Sequence, residues 1–372
     1  MVNRAFRAGL ALLLFVAVPV RAQTGAPDSG ALCAARDVDL RRAMVEVHEK
    51  QRNVGVASVV LRDGETAFSA YLGMADLEHE ALMGPETRLG IASLTKLFTA
   101  TALLRLVAAG LVDLDASVQR YVADFPVKEE GEITVRMLAT HRSGIPHPQD
   151  RTPELFATHY ETATEALEVF AHESLVAAPG SERVYSSSNY NLLAAVMEAV
   201  TGLAFHEVLE GEILGPLELE GTSLDDVLRP LPDRARRYSF YHPWTYEESP
   251  ELFVVPAWDY SFNPGGGGLV STAADVARFG AALTAPGLLP AEQLDLLYDP
   301  AWFGRGEEPG RSIYMTGSNP GVQAGLAVHR DPDVVVVVLS NTWGIGARSA
   351  EMVNLARGLE RMCAVGPAGA GS

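Results

Sequence analysis

Residues 87–100 read Thr87-Arg88-Leu89-Gly90-Ile91-Ala92-Ser93-Leu94-Thr95-Lys96-Leu97-Phe98-Thr99-Ala100, and the chemical character of the chain is concentrated there. Residues three apart share one face of a helix, so a helix that starts near Ser93 brings the Ser93 hydroxyl within reach of the Lys96 amine. A helix N-terminus also favours negative charge on that oxygen. The chain has only three lysines, Lys50, Lys96 and Lys128. The first and third sit among charges, whereas Lys96 enters an otherwise apolar helix. Arginine carries nearly every other cation and cannot lose its proton in a protein, whereas a desolvated lysine can. That is the property a general base requires beside a serine nucleophile. The apolar residues Leu97, Phe98, Leu103, Leu104, Leu106 and Val107 extend the segment into a long buried helix over residues 94–111, closed by Gly110.

Outward from that helix the pattern is strand-rich at both ends of the chain and helical between. Residues 40–48 have helical apolar spacing, residues 54–61 read as a buried strand, and residues 66–72 pair back on it across the turn Arg62-Asp63-Gly64-Glu65. Helices follow at about residues 163–172, 190–201 and 205–213. Residues 312–316, 324–329 and 334–339 are three short strands, the last two joined by Arg330-Asp331-Pro332-Asp333. The run of five valines at residues 334–338 reads as a central strand buried on both faces. Residues 348–362 close the chain as a helix. Two strands before a helical insert and three after it predict an α/β (α+β) architecture. One antiparallel five-stranded sheet is built from both chain ends, with N- and C-terminal helices packed on it and an all-helical subdomain inserted. On this division residues 23–85 and 260–372 form the sheet part and residues 86–259 the helical part. The Pro-rich residues 229–258, with Tyr238, Tyr241, Trp244, Tyr246 and Trp258, read as an irregular excursion over the surface or the cleft mouth.

Composition narrows the function. The 372 residues are 48% hydrophobic and 20% charged, enough for a large core and unlike a disordered chain. With 29 basic against 47 acidic residues the net charge is -18, and no basic run interrupts it. A nucleic-acid or anionic-membrane surface is thereby excluded. Arg4 and Arg7 precede an apolar run over residues 8–20, and Val20-Arg21-Ala22 offers a cleavage site, so residues 1–22 read as a secretory signal peptide and the protein as exported, periplasmic or secreted. No later segment approaches the ~18 apolar residues of a membrane span. Export allows a disulfide between Cys33 and Cys363, the only two cysteines. His141 and His147 lack the H-x-H or H-E-x-x-H spacing of a zinc site, and residues 265–268, four glycines, lack the G-K-[ST] of a phosphate loop. No metal or cofactor is expected, and the glycines read as a close backbone approach beside the active site. No G-x-S-x-G elbow is present, which argues against an α/β-hydrolase.

Three segments, in order, resemble the serine β-lactamase-related hydrolases, which include class C β-lactamases, D-alanyl-D-alanine carboxypeptidases and esterases. Residues 87–100 resemble the family's nucleophile segment. Residues 134–146, with Thr140-His141-Arg142-Ser143-Gly144, resemble its helix-to-cleft connection, and residues 266–279, with Gly267-Gly268-Leu269-Val270-Ser271-Thr272-Ala273-Ala274-Asp275, another signature. The resemblance implies a β-lactamase/transpeptidase-like fold and a catalytic set of Ser93, Lys96 and Tyr185. The family's Y-x-N motif falls at Tyr185-Ser186-Ser187. A phenol near an ammonium can have its pKa lowered and share the base role. Ser187 replaces the asparagine; its hydroxyl can bond Lys96 but lacks the second donor with which an amide would hold a substrate carbonyl. The K-T-G or H-T-G motif falls at Met315-Thr316-Gly317, where Met315 brings neither charge nor donor. By resemblance Ser187, Met315, Thr316 and Gly317 contact substrate, and the backbone N–H groups of Ser93 and Ser318 form the oxyanion hole. Two functions follow. One is an exported serine hydrolase acting through an acyl-enzyme on small-molecule or peptide acyl substrates, with esterase-like preference. The other, favoured by Met315 and Ser187, is a catalytically silent protein that binds cell-wall peptide or a protein partner.

Overall fold

Helix α1 (Asp37–Lys50) leads into strands β1 (Gly55–Arg62), β2 (Glu65–Asp76) and β3 (Ala81–Leu82). After β4 (Leu89–Gly90) and a 3-10 turn at Ala92–Leu94 come helices α2 (Thr95–Ala108), α3 (Val135–Ala139), α4 (Pro153–Ala157), α5 (Ser188–Thr201) and α6 (Phe205–Leu209). Strands β5 (Ser223–Leu224), β6 (Tyr238–Tyr241) and β7 (Glu248–Val254) precede α7 (Pro264–Gly267), β8 (Leu269–Ser271), α8 (Ala273–Ala281) and α9 (Ala291–Tyr298). The last elements are β9 (Gly304–Arg305), β10 (Ser312–Asn319), β11 (Val322–Arg330), β12 (Asp333–Ser340), β13 (Thr342–Trp343) and α10 (Ser349–Ala364). This computed structural model describes residues 37–148, 152–305, 310–344 and 349–364. Residues 1–22, Cys33 and the side chain of Cys363 lie outside the described part.

The main sheet runs β3-β2-β1-β12-β11-β10-β9, antiparallel at every pairing. Its five long strands are the five expected from the sequence. The two-residue strands β3 and β9 extend the sheet to seven, and a pair of residues has no alternation from which to read a strand. β12 lies between β1 and β11, as its valines require. Val334, Val336 and Val338 join the cluster on one face, with Leu40 and Met44 of α1 and Leu355 and Leu359 of α10. Val335, Val337 and Leu339 join the larger cluster on the other face, with residues of α2, α5 and α8. A strand buried on both faces needs apolar residues at every position rather than every second one.

The inserted part is not all helical. β6 and β7 form a hairpin, β13 adds to it in parallel beside β6, and β8 pairs with β4 and β5 in a small ribbon. Pro250 masked β7 in the sequence. A proline inside a run argues against a central strand, but β7 is an edge strand, where the missing N–H is tolerated. Two expected α-helices are wound differently: a 3-10 segment at Glu165–Val169, and α6 continued by a π-turn at Glu210–Leu214. Among the described residues no single helix is long and apolar enough to cross a membrane.

Helix α2, which carries Lys96, is buried along most of its length. Phe98 stacks on Phe279 of α8 with ring centroids 3.7 Å apart, and both rings are fully buried. Phe98→Ala removes a stacked aromatic and leaves a cavity, and is expected to cost about 3–5 kcal/mol. A urea titration checks this; a midpoint within the error of the wild type would refute the packing account.

Candidate active site

Ala92 has φ +45, in the left-handed region, so an α-helix cannot begin before it. Ser93 therefore sits in the 3-10 turn, and α2 starts two residues later than the spacing argument placed it. The side chains meet nonetheless: Lys96 Nζ donates to Ser93 Oγ at 3.2 Å. β10 passes directly beside this turn. A Cβ on Gly317 would overlap the Ile91 carbonyl oxygen and lie 3.1 Å from Ser93 N, so only glycine allows the approach. Among the described residues β9 pairs with Ser312 and Ile313, and the rest of that edge of β10 has no strand partner among them. Ser93 N–H, in a first helical turn, has no intrahelical acceptor.

Lys96 is fully buried. Its ammonium donates to Ser93 Oγ, to Ser187 Oγ at 2.9 Å and to the carbonyl oxygen of Gly266, one acceptor for each of its three protons. The rings of Tyr185 and Tyr190 flank it at 5.1 and 5.7 Å. The glycine run that brings Gly266 here is packed too closely for side chains. A Cβ on Gly265 would overlap the Tyr190 carbonyl oxygen, and one on Gly266 would overlap Asn263 Oδ1. Ser187 occupies the N-cap of α5 but makes no side-chain cap bond, its hydroxyl being engaged by Lys96.

Tyr185 OH lies 2.8 Å from Ser93 Oγ. Either hydroxyl can donate in this pair, and with Tyr185 ionised the Ser93 proton is the one donated, to the phenolate oxygen. Loss of hydration at the cleft wall pushes the Tyr185 phenol up, although 43% of the residue is exposed, but the Lys96 charge together with hydrogen bonds from Ser93 and Ser187 brings the net shift below the ordinary 10.0. Tyr190, the other phenol beside the same ammonium, is pushed up by burial, and its OH donates to Ala139 O at 2.9 Å. The two phenols thus titrate in opposite directions.

Two histidines brace the motif. Ser186 N–H donates to His141 Nδ1 at 3.2 Å, and Ser187 N–H donates to His147 Nδ1 at 3.1 Å. Burial, followed by the nearby Lys96 and Arg183 charges, lowers His141 to about 2, so it stays a neutral acceptor. Among the described residues no group of three or more His, Cys, Asp or Glu side chains is arranged to hold a metal ion.

Around these groups lies a cleft of about 120 Å³, bordered by Ser93, Tyr185, Ser187 and Ser318 among the residues expected at the site. Met315, Thr316 and Gly317 do not border it, and Met315 packs against the large core cluster. Tyr238, Tyr241, Trp244, Tyr246 and Trp258 do not border it either; Trp258 stacks on Phe156 at 4.3 Å. His147, Tyr260, Phe262, Asn263 and Asn319 do border it, and sequence reasoning did not assign them. The available signal was adjacency: Asn263 precedes the glycine run by two residues, and Asn319 follows Ser318 directly.

The profile of the family described as Beta-lactamase matches residues 40–357. The chain is 29% identical over 335 residues to the Serine beta-lactamase-like protein LACTB, mitochondrial, of Homo sapiens, covering 71% of this chain and 59% of that protein. It spans about three fifths of the length of the LACTB proteins of Homo sapiens, Mus musculus and Bos taurus. Among solved structures, the D-amino acid amidase from Ochrobactrum anthropi SV3 complexed with D-phenylalanine superposes with TM-score 0.72 at 24% identity, covering 87% of this chain and 99% of that one. The penicillin binding protein from Bacillus halodurans superposes with TM-score 0.71 at 23% identity, covering 85% and 99%. These likenesses are of fold, and the fold is the β-lactamase/transpeptidase-like one that the sequence motifs implied.

If Lys96 is the main influence holding the Tyr185 phenol down, removing the ammonium leaves desolvation opposed only by the hydrogen bonds from Ser93 and Ser187. In the wild type, ¹³C NMR of ring-labelled tyrosine should show one phenol, absent from Tyr185→Phe, ionising below 10.0. In Lys96→Met the same phenol should ionise above it; an unchanged titration would contradict the assigned cause.

Proposed function

We propose, from the premise that the chain belongs to the Beta-lactamase family, that it is a serine hydrolase working through an acyl-enzyme on ester or amide substrates. The observation that carries this reading is the hydrogen-bonded contact of Ser93 Oγ with both Lys96 Nζ and Tyr185 OH, at 3.2 and 2.8 Å. Ser93 Oγ attacks the acyl carbonyl as its proton passes to the oxygen of Tyr185 in its phenolate form, whose share at a given pH the lowered pKa increases. The Lys96 ammonium offsets the negative charge that accumulates on the two oxygens. The N–H groups of Ser93 and Ser318 receive the carbonyl oxygen as it becomes an oxyanion, a contribution worth ~100-fold or more in such sites. Tyr185 then returns the proton to the leaving group, and water, activated in the same way, releases the acyl group from Ser93.

Nucleophile and base act as a unit in this scheme, so single losses do not add. Ser93→Ala, Tyr185→Phe and Lys96→Arg should each lose nearly all ester turnover, and fluorophosphonate labelling should vanish in Ser93→Ala. Arginine keeps the positive charge but its guanidinium cannot fit three acceptors placed around one ammonium nitrogen. Full activity in Lys96→Arg would overturn the role given to Lys96. The second reading, a silent binding protein, is favoured by Met315 and Ser187, and the absence of labelling with any acyl donor would establish it.

Met315 also bears on substrate. Penicillins and D-alanyl peptides carry a carboxylate on the leaving side; Met315 stands outside the cleft, and neither Lys nor Arg is among the described residues that border it to receive that charge. A lost hydrogen bond to a charged group costs roughly 1.5–3 kcal/mol, about tenfold to a hundredfold in rate or affinity. Short-chain acyl esters are therefore expected to have higher kcat/KM than penicillins, with Met315→Lys narrowing the gap. A wild-type kcat/KM for benzylpenicillin above that for p-nitrophenyl butyrate would sink this preference.

A further inference from the structure

Ser187 meets Lys96 with a hydroxyl attached directly to Cβ. So short a side chain has a single torsion with which to find its partner, and the 2.9 Å contact is therefore set by where the Ser187 backbone stands. That backbone is the N-cap of α5, whose N–H has no acceptor within the helix. It is held from outside. Ser187 N–H donates to His147 Nδ1 at 3.1 Å, and on either side Ser186 Oγ and Ser188 Oγ both donate to Pro146 O, at 2.8 and 2.9 Å. Of these bonds between residues 146–147 and 186–188, the one to His147 passes through a group that takes up protons.

The two histidines beside this motif differ in how they respond to acid. His141 is buried, and with Lys96 and Arg183 nearby it is lowered to about 2, so its bond to Ser186 N–H persists at any ordinary pH. His147 is half-buried and borders the cleft, where solvent protons reach it. Imidazole is the side chain that ordinarily changes charge between pH 5 and 8. Accepting an amide proton at Nδ1 requires that nitrogen to be bare, which puts the proton of the neutral ring on Nε2. A second proton goes to Nδ1. Its N–H would then face the N–H of Ser187, turning the acceptor into an opposing donor. The titratable groups around His147 are Tyr185, with ring centroids 5.9 Å apart, His141, whose protonation its charge opposes, Lys96 behind Ser187, and Tyr260, which borders the same cleft. Among the described residues bordering the cleft none is Asp or Glu.

We propose that His147 is a positioning residue for acylation: in its neutral form it seats Ser187 on the Lys96 ammonium, and its protonation unseats Ser187 and shuts the cleft down on the acid side. Without Ser187 one proton of a fully buried ammonium loses its acceptor, and the ammonium is no longer fixed beside Ser93 and Tyr185. A positive charge on His147 acts the other way on Tyr185, because it favours the phenolate. That attraction is screened at a cleft open to solvent, whereas the amide contact is direct, so the loss of Ser187 decides the outcome. The inference rests on the serine hydrolase reading and adds an acid-side control to it.

The test measures the second-order rate constant for phosphonylation of Ser93 by a fluorophosphonate against pH in the wild type, His147→Asn and His147→Leu. Asparagine places Oδ1 where imidazole has Nδ1 and accepts the same N–H without taking a proton; leucine offers no acceptor. In the wild type the logarithm of the rate constant should rise with a slope of two at the acid end, one proton leaving Tyr185 and one leaving His147. It should then pass to a slope of one and to the plateau. In His147→Asn the rising limb should have a slope of one throughout. His147→Leu should share that slope at a rate lower by about tenfold or more, and His147→Asn should recover most of the loss. General damage to the fold lowers the rate without removing a proton from the profile. A wild-type slope of one throughout, a slope of two retained in His147→Asn, or a rate that rises as the pH falls overturns the role of His147 and leaves the hydrolase reading standing. Absence of phosphonylation of the wild type at every pH overturns that reading and this inference with it.

Discussion

A lysine ammonium with no exposure to solvent is the constraint on which the cleft is built. Removing such a charge from water costs several kcal/mol even after the protein relaxes, so it persists only where its protons find acceptors. Lys96 finds three, and each comes from a different part of the chain: its own turn, the start of α5 and the glycine run. Satisfying the ammonium therefore fixes the mutual position of all three. It also explains two local departures from ordinary usage. Ser187 gives up its capping role, and the chain places glycines where any side chain would push the Gly266 carbonyl away.

The main sheet supplies what the helices cannot. β10 runs from the C-terminal third of the chain to within contact of Ile91 and Ser93, and Gly317 is the point where the two backbones nearly touch. β12 holds β10, through β11, in register with β1 from the N-terminal part. The cleft therefore depends on pairing between chain segments almost 300 residues apart, such as Val56 with Ser340. Packing on both faces of β12 supports that long-range pairing.

How much of this could be read from the sequence depends on the kind of signal. The five long strands were legible because alternation and the valine run are periodic, and the Ser93–Lys96 pair because a lysine in an apolar helix of a lysine-poor chain stands out. Tyr185 and Ser187 were legible only through resemblance, since they lie about ninety residues from Ser93. Asn263 and His147 were not assigned, because their positions are set by loops that fold back on the cleft and loops carry no periodicity. The hairpin of β6 and β7 was hidden by composition: prolines and aromatics signal a loop or an edge strand equally well. Met315 was placed at the cleft by its motif, yet it does not border the cleft and packs instead against the core.

The central claim is that the buried Lys96 ammonium makes Tyr185 the acceptor of the Ser93 proton. The most direct measurement is the rate of Ser93 phosphonylation by a fluorophosphonate as a function of pH, in the wild type and in Lys96→Met. The account predicts that the wild-type rate climbs with pH to a plateau, with a midpoint below the ordinary tyrosine value of 10.0. In Lys96→Met the rate at neutral pH collapses and the midpoint moves above that value. A midpoint that stays where it was after the ammonium is removed would contradict the account.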